Sequence, residues 1–199
     1  MIDVKRVLAW VKREIHCYGG DPARIALTGG SAGGHLTALA GLTANESTFQ
    51  PGFEEADTSV IAAVPFYVVY DLLDRAGQAP VEQEEFLTRV VIGRSRTEAP
   101  QVWDQGSPMS WLRADAAPFF VLHGGIDTMT LPAQARSFAE GLRAVSRNPV
   151  AYAELPGAQH MYDSFPTTRG AAVVASVDRF LTWVISVGAV PPSVRTERR

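Results

Sequence analysis

Two periods of apolar residues divide the chain. Val4, Val7, Leu8, Val11 and Ile15 recur at three- and four-residue steps, which puts them on one face of a helix. Asp3 stands where it can cap that helix, and the turn Tyr18-Gly19-Gly20-Asp21-Pro22 ends it after His16. Four shorter stretches, Arg24–Thr28, Val60–Tyr67, Pro118–His123 and Val150–Leu155, carry continuous apolar runs and predict buried strands. Helical spacing returns between them. Leu36–Leu42 is small and apolar, so it can pack closely on a sheet. Leu131, Ala135, Phe138, Leu142 and Val145 fall on one side of a helix over Leu131–Val145. Val173, Val174, Val177, Leu181, Val184 and Ile185 stripe a last helix over Gly170–Val187. A further helix around Val81–Val91 interrupts the less regular stretch 71–114, where Gln105-Gly106-Ser107-Pro108 marks a turn. Asn45–Thr58 is polar and reads as a loop. The alternation predicts an α/β fold of about four parallel strands, joined by right-handed crossovers, with helices on both faces. One domain is expected over 1–187. Gly188–Arg199, with Pro191-Pro192 and four charged residues, reads as a disordered tail.

Composition narrows the function. The 199 residues suffice for one domain with a substantial core. A net charge of −3 argues against a dedicated nucleic-acid binder, which needs a basic face. Cys17 is the only cysteine, so no intramolecular disulfide forms, and a reducing, cytoplasmic compartment is expected. Cys17 itself reads as a small packed residue at a helix end. The first residues enter an amphipathic helix instead of an apolar leader. The most apolar stretch, Val60–Tyr70, is too short for a bilayer and contains Pro65, so no membrane span is expected. The histidines and the cysteine lack zinc-like spacing, so no metal is implied. The glycines after the first strand are followed by no acidic residue at the distance a dinucleotide site needs, so no cofactor is implied.

The chemistry gathers in the loops that follow strands, where ligands bind in parallel sheets. Gly29-Gly30-Ser31-Ala32-Gly33 lies between the first strand and the first small-residue helix, the setting of a nucleophile elbow. A turn that tight needs positions without a Cβ. The same turn also suits a purely packing role, or an anion at a helix N-terminus. Asp127 follows the third strand and His160 the fourth, giving the chain order Ser, Asp, His. The types suit one another: a serine hydroxyl needs a base, histidine titrates in the right range, and a carboxylate fixes the imidazole tautomer. Asp71 follows the second strand and competes for the acid. Asp115 precedes the third strand, which puts it at the wrong end of the sheet. Asp163 is expected to shape its loop or cap a helix. His35 lies in the first turn after Ser31 and should point away from the hydroxyl. His123 reads as a packed core residue, and His16 as a partner for a helix C-terminus.

TGGSAGGHL, HGGID and LPGAQH resemble the α/β-hydrolase superfamily and, within it, the hormone-sensitive-lipase-like bacterial carboxylesterases. The similarity runs from about Asp3 to Val187. It implies hydrolysis of a small-molecule carboxylic ester through an acyl-serine. Ser31 would be the nucleophile, Asp127 the acid and His160 the base. The Ala32 backbone N–H would be one oxyanion donor, and Gly29, Gly30 and Gly33 would shape the elbow. The family's upstream His-Gly-Gly-Gly-type oxyanion loop has no match here, because His123-Gly124-Gly125 belongs to the acid's loop. The chain thus resembles the C-terminal portion of such a hydrolase, beginning at the helix before the elbow. Losing one oxyanion donor lowers turnover by about 100- to 1000-fold. An unpaired edge on the first strand invites self-association. A hydrolase remnant acting as a binding module, and a peptidase or thioesterase on the same fold, stay open as alternatives. Phe86, Trp103 and Trp111 are candidates either for the wall of an acyl pocket or for plain core.

Overall fold

The computed structural model describes residues 1–187; the tail expected over 188–199 lies outside them. Helix α1 (Ile2–Glu14) starts one residue before Asp3. Met1 is its N-cap, and Asp3 sits inside the first turn, where its carboxylate meets the positive end of the helix dipole. A tighter turn, Ile15–Tyr18, follows and closes on Gly19 at φ 79°. The expected apolar face of α1 is only partly buried. Leu8 is covered, but Val7 is 57% exposed, and the fully buried neighbour is Lys5. The Lys5 stem runs inward because its ammonium finds the Thr43 carbonyl and Thr58 Oγ1.

The chain continues through β1 (Ala26–Gly30), α2 (Ala32–Leu42), β2 (Ala62–Phe66) and α3 (Gln83–Phe86), which widens into a π turn over Leu87–Ile92. Then come α4 (Pro100–Gly106), β3 (Phe119–Gly124), α5 (Pro132–Val145), β4 (Val150–Leu155) and α6 (Thr168–Ser186). The strands are all parallel and lie in the order β1-β2-β3-β4, so β1 and β4 are the edges of the described sheet. β1 sits two residues further along than Arg24–Thr28, because pairing continues through Gly30 opposite Phe66 and on to the Ser31 N–H.

Alternation along β2 and β3 sends side chains to both faces. Ala63, Phe119 and Val121 pack with Ala38 of α2 and with Phe138 and Leu142 of α5. Val64, Phe66, Phe120 and Leu122 face the other way, onto Val173, Phe180 and Leu181 of α6. On α6 the sheet takes Val173, Val177, Phe180, Leu181 and Val184, a single stripe. Val174 and Ile185 each lie one residue past it and are exposed, contrary to the expected pattern. The carboxyl ends of the strands meet at one rim, with Phe66 opposite Leu122 and Gly124 opposite Leu155.

Candidate active site

Ser31 links β1 to α2 at φ 54°, ψ −122°. A non-glycine residue there stores about 1–3 kcal/mol of strain. Two backbone hydrogen bonds hold it: the Ser31 N–H donates to the Phe66 carbonyl (3.0 Å), and its carbonyl accepts from the His35 N–H (2.9 Å). Bare positions around it let α2 approach the sheet. A Cβ on Gly29 would stand 2.6 Å from the Gly33 carbonyl, and one on Gly30 would overlap the Tyr67 phenol. A Cβ on Gly34 would stand 2.5 Å from Val68 Cγ2 and 2.7 Å from the Gly29 carbonyl oxygen. Gly33 faces open space, so the close approach expected of it belongs to Gly34. Ala32 opens α2, where a first-turn N–H has no partner within the helix.

The structure brings Ser31, Asp127 and His160 together from three loops. His160 Nε2 lies 3.0 Å from Ser31 Oγ, and His160 Nδ1 lies 2.8 Å from Asp127 Oδ2. The Asp127 carboxylate can only accept, so Nδ1 carries the proton and Nε2 is left to accept from the serine hydroxyl. Asp127 is in turn fixed by the turn it begins. Its Oδ1 accepts from the N–H groups of Met129 (2.9 Å) and Thr130 (3.0 Å), and its Oδ2 lies 3.0 Å from Thr130 Oγ1. The side chains of Asp127 and His160 are 0% and 6% exposed. An ion pair formed there during reaction is shielded from water.

The competing residues are occupied elsewhere. Asp71 accepts from the Arg75 guanidinium (2.6 Å), the Arg75 N–H (2.7 Å) and Ser107 Oγ (3.1 Å), which ties down the chain after β2. Asp115 pairs with Arg113. Asp163 accepts a hydrogen bond from the Tyr67 hydroxyl at 2.6 Å. His35 donates through Nδ1 to the Val69 carbonyl (2.9 Å), and burial lowers its pKa. His123 is fully buried behind Asp127 and donates through Nε2 to the Thr130 carbonyl (2.7 Å); burial lowers its pKa too, and its Nδ1 has no partner. The His16 ring does not serve the helix end; it meets Cys17 Sγ, and Cys17 is exposed instead of packed.

A cavity of about 590 Å³ opens beside Ser31 and His160. Leu36, Leu72, Phe86, Leu87, Val91 and Met129 give it an apolar wall. The three aromatic candidates thus separate. Phe86 lines the cavity, Trp103 is fully buried with Leu72 and Leu87, and Trp111 packs against Phe49 at a tilt of 54° beside the core. Thr130 and Tyr67 went unnoticed in the sequence. The spacing of Asp127 and Thr130 is a local side-chain-to-backbone pattern that could have flagged the first. An aromatic closing a strand carries no comparable signal. Among the described residues no three His, Cys, Asp or Glu side chains lie together as metal ligands, and no helix is long and apolar enough to cross a membrane.

Similar proteins bear on this geometry. The probable carboxylic ester hydrolase LipM of Mycobacterium tuberculosis is 52% identical over 184 residues, which is 92% of this chain and 43% of LipM. The esterase LipQ of the same organism is 46% identical over 91% of this chain and 43% of its own length. The chain therefore spans less than half the length of these relatives. Among solved structures, Thermogutta terrifontis esterase 2 phosphonylated by sarin matches with a TM-score of 0.73 at 26% identity, over 96% of this chain and 66% of that one. A truncated carbohydrate esterase from gut microbiota shares the fold, with a TM-score of 0.76 at 20% identity over 92% and 67%. The sheet and helices are those of the α/β-hydrolase esterases, and the relatives agree with the resemblance to hormone-sensitive-lipase-like enzymes. A family model described as BD-FAE matches residues 1–142, and the chain belongs to the BD-FAE family.

Proposed function

We propose that the chain carries the reacting centre of a serine hydrolase that cleaves carboxylic esters through an acyl-serine. The observation that supports this most is the continuous line of hydrogen bonds from Ser31 Oγ through the His160 ring to Asp127, at the mouth of an apolar cavity. The names of the relatives favour esters over amides and thioesters.

On this reading Ser31 Oγ gives its proton to His160 Nε2 as it attacks the ester carbonyl carbon. The carbonyl oxygen becomes an oxyanion, and the Ala32 N–H donates to it at the positive end of α2. Asp127 steadies the imidazolium. His160 then returns the proton to the departing alcohol, which leaves Ser31 acylated. A water loses its proton to Nε2 and attacks the acyl carbon; His160 then returns that proton to Ser31 Oγ as the acyl–Oγ bond breaks and the acid is released. The cavity takes the apolar part of the ester. The single cysteine supports a reducing, cytoplasmic setting, and the free edge of β1 supports self-association.

The test is hydrolysis of p-nitrophenyl acetate by the chain and by Ser31→Ala. Release of nitrophenol by the parent and none above background by the variant is expected. Equal rates in the two would overturn the assignment of Ser31.

A further inference from the structure

His160 rides on the loop 156–167 between β4 and α6. Before His160 that loop is pinned to its neighbours: the Ile126 N–H donates to the Ala158 carbonyl (3.1 Å), and the Thr128 N–H donates to Gln159 Oε1 (3.2 Å). After His160 the chain bends through Met161 at φ 56°, a left-handed conformation that costs a non-glycine residue energy. Among the described residues, one hydrogen bond joins 161–166 to another element of the fold. It runs from the Tyr67 hydroxyl to Asp163 Oδ1 and is 2.6 Å long.

Tyr67 is itself firmly held. It follows the last residue of β2 at φ 41°, its N–H donates to the Leu122 carbonyl (2.8 Å), and its carbonyl accepts from Thr130 Oγ1 (3.2 Å). Its phenol occupies the space that a Cβ on Gly30 would need. The ring meets His160 edge-on, with centroids 4.7 Å apart, and Tyr162 likewise at 5.3 Å. Burial, and then the Asp163 carboxylate, hold the phenol well above its ordinary pKa, so it stays a donor at any working pH. One side chain thus touches the residue before the nucleophile, the ring of the base, and the far side of the loop that carries the base.

We propose that Tyr67 is a positioning residue: by gripping Asp163 it holds the His160 loop against the sheet, which keeps Nε2 within reach of Ser31 Oγ. The catalytic consequence rests on the hydrolase reading above; the restraint on the loop does not.

The experiment compares the full chain with Tyr67→Phe, Asp163→Ala and Asp163→Asn. Asp163 is exposed, so its variants leave the core intact. Hydrogen exchange read by mass spectrometry is followed in peptides covering 156–167, alongside p-nitrophenyl acetate kinetics. Tyr67→Phe and Asp163→Ala are expected to speed exchange in that loop by about 10- to 100-fold, the factor set by one hydrogen bond to a charged acceptor. Asp163→Asn keeps an acceptor and should restore most of the protection. In the same variants kcat should fall by about 10- to 100-fold with KM unchanged, as for a displaced base. Loop exchange unchanged in both Tyr67→Phe and Asp163→Ala would overturn the proposal. So would faster exchange with kcat intact. Faster exchange in the variants, with a parent that hydrolyses no ester, would leave the restraint standing and remove the hydrolase reading instead.

Discussion

Adding one methyl group separates the two glycines that follow Ala32. In Gly34→Ala the new Cβ would lie 2.5 Å from Val68 Cγ2, 2.7 Å from the Gly29 carbonyl oxygen and 2.9 Å from the Phe66 carbonyl oxygen. Ordinary contact begins at 3.4 Å. Two of the three obstacles are backbone atoms of β1 and β2, which cannot swing aside. Helix α2 must therefore back away by roughly half to one ångström, an overpacking strain of about 1–3 kcal/mol. In a chain of this size each kcal/mol lowers Tm by about 2–4 °C. Ser31 moves with the helix, and a displacement of about 1 Å is expected to lower turnover by about 100-fold. Gly33→Ala meets nothing within 4 Å. Replacing a helical glycine with alanine there should stabilise by about 0.5–1 kcal/mol. Thermal melts of both variants and p-nitrophenyl acetate turnover of Gly34→Ala decide the matter. If Gly34→Ala melts as high as Gly33→Ala and turns over like the parent, the packing argument for the elbow is wrong.

Burial brings the Lys5 ammonium down to about 8 from 10.5; the Glu46 carboxylate opposes this more weakly, and the Arg113 guanidinium adds to it. Between those values the unfolded chain binds more protons than the fold, so stability should rise with pH across that window, by about 3 kcal/mol in all. Urea unfolding from pH 7.5 to 10 should show this rise relative to Lys5→Met; parallel curves would contradict it. Thr130→Val removes the hydroxyl beside Asp127 Oδ2 and the Tyr67 carbonyl while keeping the two backbone donors to Oδ1. Stability should fall by about 1–3 kcal/mol, with slower reaction at Ser31. A variant unchanged in both melt and reactivity would show that this hydroxyl anchors nothing.

The interior strands were the most legible part of the chain. β2 and β3 are covered on both faces, so their sequences are apolar apart from the buried His123, and β4 matches its expected span at both ends. Strand order pointed to the loops that carry Ser31, Asp127 and His160, but it left Asp71 after β2 as a competitor until its partners Arg75 and Ser107 were seen. What escaped was whatever depends on distant partners. Lys5 on an amphipathic helix reads as solvated until the Thr43 carbonyl appears beneath it. Tyr67 is only the end of an apolar run until Asp163, 96 residues later, meets its hydroxyl. Gly33 and Gly34 are indistinguishable as letters, and only the path of β2 tells which one must be bare. Phe86 and Trp103 are both lone aromatics within 71–114, yet one lines the cavity and the other fills the core.

The central claim is that His160, held by Asp127, makes the Ser31 hydroxyl a nucleophile. A fluorophosphonate probe with peptide mapping by mass spectrometry addresses it without requiring turnover. The account predicts one adduct, on the peptide containing Ser31, forming at least about 1000-fold more slowly in His160→Ala and strongly slowed in Asp127→Ala. An adduct at another residue, or equal labelling of Ser31 with and without the imidazole, would contradict it.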